Sequence, residues 1–352
     1  MVDTIHRTLI IRFSSVGDII LSSLLLWVLH NRFPECGIEF LAKEEFADLV
    51  RYNPHVARVI EFPANGGFRE LQKLRDAIRK ANYDRVVDIH DSVRSRYLCF
   101  GLPNVVRISK RKIARFLLVK TKWDTYEWFG GSPSIAERYL EPVAELGVTN
   151  DGNGLEVFFP PVDSERAIGI LQNAGINNGT MIIGISPASR HNTKMWLKER
   201  FAETASTIAR DRSAAVLLFG SGQDENVRCE EIKSVIETLS PGVTVLNLAG
   251  TVSLTETAAL MDRCSLVITN DSGLMHLAAA RKKKVLAIFG PTVRELGFFP
   301  YGTTSTVIED MHLSCRPCTH IGLPVCPKGH FKCMNDIPAR TVIDAAHLLL
   351  KN

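Results

Sequence analysis

Four short stretches hold the side chains most able to do chemistry. The first is Ser14-Ser15-Val16-Gly17-Asp18, directly after an apolar run. Gly17 permits a close backbone approach there, and amides leading into a helix favour an anion. Asp18 has two readings, a first-turn acid that caps its own helix or a general base that reaches a substrate hydroxyl. The second stretch, SPASRHNTKMW from Ser186 to Trp196, places Ser189, Arg190, Thr193 and Lys194 at a strand end ahead of a helix. Hydroxyls mixed with positive charge suit a diphosphate, while a plain polar loop with Trp196 in the core is the competing reading. In the third, TNDSGLMH, amides at Ser272 and Gly273 open an apolar helix and form a phosphate cradle. His276, one turn on, is either a hydrogen-bonded core histidine or a further phosphate contact. The fourth, FGSGQDE, offers Asp224 and Glu225 to ribose hydroxyls, although any α/β protein can show such a loop. No GxGxxG motif is present in the first loop, which disfavours a dinucleotide there.

Each stretch needs a strand before it and a helix after it. Apolar runs at Thr8–Phe13, Gly37–Leu41, Val56–Glu61, Arg85–Asp88 and Asn104–Arg107 predict strands. Helical periodicity covers Ile19–Arg32, Phe68–Ala81 and Ile135–Leu146. The series pauses at Asp151–Asp163, rich in Gly, Pro and Asp, and then restarts. Strands follow at Met181–Ile185, Ala214–Phe219, Val243–Leu246, Leu266–Thr269 and Val285–Phe289, with helices at Glu199–Arg210, Asp224–Leu239, Leu254–Asp262 and Gly273–Arg281. The expectation is an α/β chain of two doubly wound domains, residues 1–160 and 161–352. Ligands in such sheets lie beyond the carboxyl ends of the strands, where the four stretches fall.

Composition narrows the class further. A length of 352 residues with 45% hydrophobic and 23% charged side chains fits two soluble domains. The net charge of +4 is too small to argue for nucleic acid but suits an anionic substrate. The longest apolar run, Ile19 to Leu29, is too short to span a bilayer, and no small-residue cleavage site follows it, so a cytoplasmic address is expected. Ser109–Lys122 interleaves Lys110, Arg111, Lys112, Arg115, Lys120 and Lys122 with apolar residues. That pattern fits an acidic acceptor or transient contact with an anionic membrane surface, against the alternative of a solvated helical face. Cys315, Cys318, Cys326 and Cys333 crowd together, with His320 and His330 nearby. Their spacing matches a four-thiolate metal framework only loosely, and reduced structural thiols, a metal and a disulfide all stay open.

Taken jointly, RFSSVGDIILSSLLLWVLHNRFP, VDIHDSVRSR, SPASRHNTKMW, LFGSGQDE, TNDSGLMHLAAARKKKVLAIFGPT and CRPCTHIGLPVCPKGHFKCM resemble the ADP-heptose:lipopolysaccharide heptosyltransferases of glycosyltransferase family 9. The pattern is most similar to the second-heptose type. The resemblance implies a GT-B fold, two facing Rossmann-like domains with a C-terminal crossover helix. Residues 1–160 would bind acceptor and 161–352 the nucleotide sugar, the last helix (about 338–352) packing back on the first domain. It implies an inverting, metal-independent transfer of heptose from ADP-L-glycero-D-manno-heptose to the Kdo/heptose inner core, with no cofactor. Asp18 would be the base, with Ser14, Ser15 and Gly17 lining the reacting centre. Ser189, Arg190, Thr193, Lys194, Asp271, Ser272, Gly273 and His276 would surround the donor diphosphate. Asp224, Glu225, Thr251, Val252 and Ser253 would meet the nucleoside, and Lys110, Arg111, Lys112 and Arg115 the Kdo-lipid A or heptosyl-Kdo-lipid A acceptor. Peripheral contact with the inner face of the cytoplasmic membrane follows from that acceptor. His191-Asn192-Thr193 lacks the acid often found before the lysine, a departure in local hydrogen bonding. The rivals are a GT-B transferase with another donor or acceptor, and a nucleotide-sugar epimerase.

Overall fold

The computed structural model describes residues 5–351. The first four residues of the expected N-terminal domain, and Asn352 at the end of the expected last helix, lie outside the described residues. The chain divides into two compact units, one running to Lys110 and including Pro133–Phe159, the other made of Arg111–Ser132 and Pro160 onward.

The first unit holds strands β1 (Arg7–Ile11), β2 (Gly37–Lys43), β3 (Arg58–Phe62), β4 (Arg85–Asp88) and β5 (Val105–Arg107). They form one sheet in the order β3-β2-β1-β4-β5, all parallel. Its central strands are continuous apolar runs because both faces are covered, and Leu9, Ile11, Phe13, Leu41, Phe62, Val86 and Leu98 share one core. The second unit holds β6 (Ile182–Ser186), β7 (Ala215–Leu218), β8 (Val245–Asn247), β9 (Leu266–Asn270), β10 (Lys284–Phe289) and β11 (Ser305–Glu309). Its order is β11-β10-β9-β6-β7-β8, again all parallel. The core there includes Ile183, Trp196, Phe201, Val216, Ile268 and Leu286. Each such fully buried aliphatic side chain contributes about 1.5–3 kcal/mol.

The strand order reverses once in each sheet. In the first, the chain crosses over from β3 to β4 and leaves the switch point between β1 and β4; in the second, it crosses from β8 to β9 and leaves it between β6 and β9. These are the switch points where doubly wound sheets open a crevice for ligand.

Several expectations change. The stretch Ile19–Arg32 forms two helices, Val16–Leu21 and Ser23–Arg32, and Ile135–Leu146 breaks into a short helix, Ile135–Arg138, and a 3-10 turn, Glu141–Leu146, with Pro142 at the break. The expected linker already contains the start of a helix, Pro161–Asn173. Residues 111–132 lie inside the expected N-terminal domain but belong to the second unit, because Ala114, Leu118 and Tyr126 pack with Leu296. The last helix, Ala339–Lys351, sinks Val342, Ala346 and Leu349 into the core of the second unit.

Candidate active site

In the first unit, β1 delivers the chain into Ser14–Asp18, and Asp18 lies in the first turn of the helix Val16–Leu21. Its Oδ2 accepts from the Ser15 backbone N at 3.2 Å and the Ser15 hydroxyl at 2.9 Å. The helix-capping reading of Asp18 is therefore realised. The other oxygen does more. Oδ1 pairs with the Arg12 guanidinium at 2.6 Å and accepts from the Tyr139 hydroxyl at 3.2 Å. Burial pushes the Asp18 carboxyl up, but Arg12 and the Ser15 hydrogen bonds outweigh it and hold the group below the ordinary carboxylate range. Asp18 is thus an ionised acceptor, braced from two sides and still 19% exposed, which leaves it a face toward solvent.

Arg12 also donates to the Ile89 carbonyl at 2.8 Å, tying the β1 loop to the β4 loop across the switch point. In that second loop Asp88 is fully buried and accepts from the backbone N of His90 at 3.1 Å and of Asp91 at 2.8 Å. His90 packs edge-on to Phe13 with ring centroids 5.3 Å apart. Burial, reinforced by Arg12 and Lys110, lowers its pKa to about 4, so the imidazole is neutral near pH 7. Lys110 donates to the Asp91 carbonyl at 2.9 Å.

In the second unit the loops after β6 and β9 meet. Lys194 Nζ lies 2.7 Å from Asp271 Oδ2, and Thr292 donates its hydroxyl to the same oxygen at 2.7 Å. Ser189 donates to the Asp271 carbonyl at 3.0 Å. A carboxylate and a phosphate are both anionic and repel, whereas the ion pair lets Asp271 orient Lys194. Ser272 is the N-cap of the helix Gly273–Ala280, and its hydroxyl lies 3.3 Å from that of Thr269. That helix begins two residues after Asp271, the partner of Lys194, and amides at a helix start together with an ammonium are donors suited to an anion. His276 is buried, 6.5 Å in ring centroids from Phe298.

The loop carrying Lys194 is held rigidly. Asn270 donates to the Pro187 carbonyl at 2.8 Å and accepts from the Trp196 backbone N at 3.0 Å. Arg228 donates to the Pro187 carbonyl at 3.0 Å and the Trp196 carbonyl at 2.5 Å. Thr193 exchanges hydrogen bonds with Leu323, its hydroxyl accepting from Leu323 N at 2.8 Å and donating to Leu323 O at 2.9 Å. Thr193 is buried by this pairing, so it positions the loop and does not present its hydroxyl to a ligand. Arg190 remains exposed.

The cysteine segment supplies that clamp. Arg316 is buried and donates to the carbonyls of Gly290, Asp310 and Thr292, and pairs with Glu309 at 2.6 Å. It thereby fixes Thr292 against Asp271. The four cysteines form no disulfide, and Cys315 Sγ lies 3.9 Å from His330 Nε2. Burial pushes the Cys318 thiol up to about 11 and Cys333 up to about 12, so both are protonated near pH 7. Among the described residues no three His, Cys, Asp or Glu side chains are placed to hold a metal ion.

The remaining expected residues scatter. Glu225 accepts from the Ser221 backbone N at 2.6 Å and so caps its own helix, while Asp224 is exposed beside it. Thr251 donates to the Leu248 carbonyl at 3.0 Å, and Ser253 is the N-cap of the helix Leu254–Asp262, with Val252 half-buried between them. The basic quartet is divided between the two units. Lys110 belongs to the first unit, Arg111 is buried and donates to the Gly131 carbonyl, and Lys112 and Arg115 lie on the helix Lys112–Thr121 of the second unit. Sequence reasoning passed over Arg12, His90, Tyr139, Arg228, Thr292 and Arg316. Arg12 had a signal, a charge inside the apolar run TLIIRF, and Thr292 sits in a strand-end loop. Tyr139 had none, because 121 residues separate it from Asp18.

Comparison with known proteins now fits the geometry. Residues 71–326 match the family model "Glycosyltransferase family 9 (heptosyltransferase)". The chain is 30% identical over 294 residues to lipooligosaccharide heptosyltransferase 2 of Haemophilus influenzae, covering 81% of this chain and 83% of that one. In fold it is similar to the Escherichia coli ADP-heptose lps heptosyltransferase II, with a TM-score of 0.73 at 22% identity, covering 98% of each chain. It is also similar to E. coli heptosyltransferase WaaC with ADP-2-deoxy-2-fluoro heptose, with a TM-score of 0.63 at 21% identity, covering 97% of this chain and 99% of that one. The two parallel α/β sheets are accordingly those of the GT-B class. Two doubly wound units, each with polar side chains gathered at its switch point, belong to a glycosyltransferase, and this chain is a member of glycosyltransferase family 9, the heptosyltransferases.

Proposed function

We propose that the protein transfers heptose from ADP-L-glycero-D-manno-heptose to the Kdo/heptose inner core of lipopolysaccharide, with inversion and without a metal. The first unit takes the acceptor and supplies Asp18 as base, and the second takes the donor. One observation carries this reading: a braced, ionised carboxylate at the first switch point, in a family whose members are heptosyltransferases.

The chemistry follows from charge. As the acceptor oxygen attacks the anomeric carbon, its proton becomes acidic and passes to Asp18, while negative charge grows on the departing diphosphate. A carboxylate of depressed pKa is a weak base in the ground state. It becomes adequate only late, when the new C–O bond has acidified the hydroxyl, and that favours acceptance in the transition state. On the donor side, Lys194 and the amides that begin the helix Gly273–Ala280 supply the positive charge the leaving group requires. Asp271 and Thr292 keep Lys194 in place. Because the acceptor is lipid-linked, the enzyme would work from the cytoplasm in peripheral contact with the inner membrane surface.

The test incubates the protein with ADP-heptose and acceptor in EDTA and reads the new anomeric linkage by NMR. An inverted linkage formed at full rate in EDTA supports the proposal. Retention, or loss of rate restored by a divalent ion, contradicts it. Donor consumed without acceptor would point to the epimerase reading instead.

A further inference from the structure

Residues 111–132 present an unusual surface for a segment so firmly held. Ala114, Leu118 and Tyr126 anchor it on Leu296, with Val293 and Phe298 beside them. Lys122 Nζ donates to the Pro317 carbonyl at 2.5 Å, and Arg111 donates to the Gly131 carbonyl. Yet its largest apolar side chains point away. Ile113, Phe116, Trp123, Trp128 and Phe129 are all between 40% and 67% exposed. On the helix Lys112–Thr121, Ile113 and Phe116 stand three residues apart and share the face opposite Ala114 and Leu118. Lys112 and Lys120 flank them on that face. Just past the helix, Trp123 and Trp128 stack edge to face with centroids 5.0 Å apart. These twenty-two residues carry five basic and two acidic side chains, so most of the +4 excess of the whole chain is concentrated here.

We infer that this face is a membrane-docking surface, which lays Ile113, Phe116, Trp123 and Trp128 into the interface of an anionic bilayer while the surrounding lysines meet lipid phosphates. The inference rests on the reading of a lipid-linked acceptor, and it names the surface that brings the enzyme to that lipid. Three features select this occupant. Tryptophans with one apolar and one polar edge suit the headgroup level of a bilayer. Lysines bracketing an apolar face match a negative lipid surface. Long lysine stems also let the apolar groups sink while the ammoniums stay with the phosphates. Among the described residues no helix is long and apolar enough to cross a membrane, so attachment through this face would be reversible.

The experiment is co-flotation of the full chain with vesicles of phosphatidylethanolamine and phosphatidylglycerol, and with phosphatidylcholine vesicles for comparison. Wild type should float with the acidic vesicles, weaken with salt, and show tryptophan quenching by brominated acyl chains. Trp123→Ser with Trp128→Ser should reduce partitioning roughly tenfold or more. Lys120→Glu should reduce it about fivefold, and only on acidic vesicles. Transfer to a deacylated, water-soluble acceptor should stay at the wild-type rate in the Trp123→Ser/Trp128→Ser protein, which also shows that it is folded. No flotation of a wild-type protein that transfers heptose to the soluble acceptor would overturn the docking surface and leave the proposed function intact. So would flotation unchanged by the tryptophan pair, or light scattering that shows the face buried between two copies. Flotation lost in the variant, in a protein that transfers no heptose, would support the surface and remove the proposed function.

Discussion

Asp18 caps its own helix and in the proposed function is also the base, and its surroundings set the chemistry it can do. Ser15 and the helix start use one oxygen, while Arg12 and Tyr139 hold the other. Asp18→Ala should lower turnover by about 10²–10⁴-fold with donor binding retained, measured as ADP release against donor affinity. Arg12→Gln removes the main force that depresses the Asp18 pKa and leaves burial to raise it. The acid limb of kcat/KM, expected below the ordinary carboxylate pKa in wild type if Asp18 is the base, should therefore move to higher pH in that variant. A limb that stays where it was would separate Arg12 from the base. His90 bears on stability with a definite sign. Its imidazole takes a proton near pH 4 when folded and near the ordinary 6.5 when unfolded. Between those values the unfolded chain binds more protons, so stability falls as pH drops through that window. Asp18, with its pKa depressed, contributes stability above the ordinary carboxylate range and loses it only below, outside the same window. His90→Asn should flatten the decline of the guanidinium midpoint between pH 6.5 and 4.5.

At the level of elements, the cysteine segment is a brace for the loop that carries Lys194. Gly322 has φ +109° and an added Cβ would meet His191 Cβ at 2.5 Å, while the next residue, Leu323, grips Thr193. Gly322→Ala should introduce about 1–3 kcal/mol of strain there and raise the donor KM by roughly tenfold with a smaller effect on kcat. An unchanged donor KM would show that the brace is only structural. Steady-state kinetics with ADP-heptose varied decides it. Most strands could be read from the sequence because fully covered parallel strands are continuous apolar runs, as in Ile182–Ser186 and Leu266–Asn270. The edge strand Ser305–Glu309 escaped notice because it is half-exposed along its length and has no such run. The loops that gather at the two switch points were legible as Gly, Ser and Asp turns after those strands. What held their side chains was not: Tyr139 on Asp18, Arg228 on Pro187 and Arg316 on Thr292 are long-range contacts that no local pattern announces.

For the whole molecule, there are two parallel sheets, each with its own switch point, and the proposed function assigns the acceptor to one and the donor to the other. Residues 111–132 complicate a simple division, since they lie within the first half of the sequence but are fastened to the second unit by Leu118, Tyr126 and Leu296. The central claim is heptose transfer to the inner core, and it is tested most directly with two acceptors. Purified protein would be incubated with ADP-heptose and either Kdo-lipid A or its heptosylated form, in EDTA, following ADP release and glycan mass. The account predicts a gain of one heptose on the heptosylated acceptor. No mass gain on either acceptor, with ADP-heptose left intact, would contradict it.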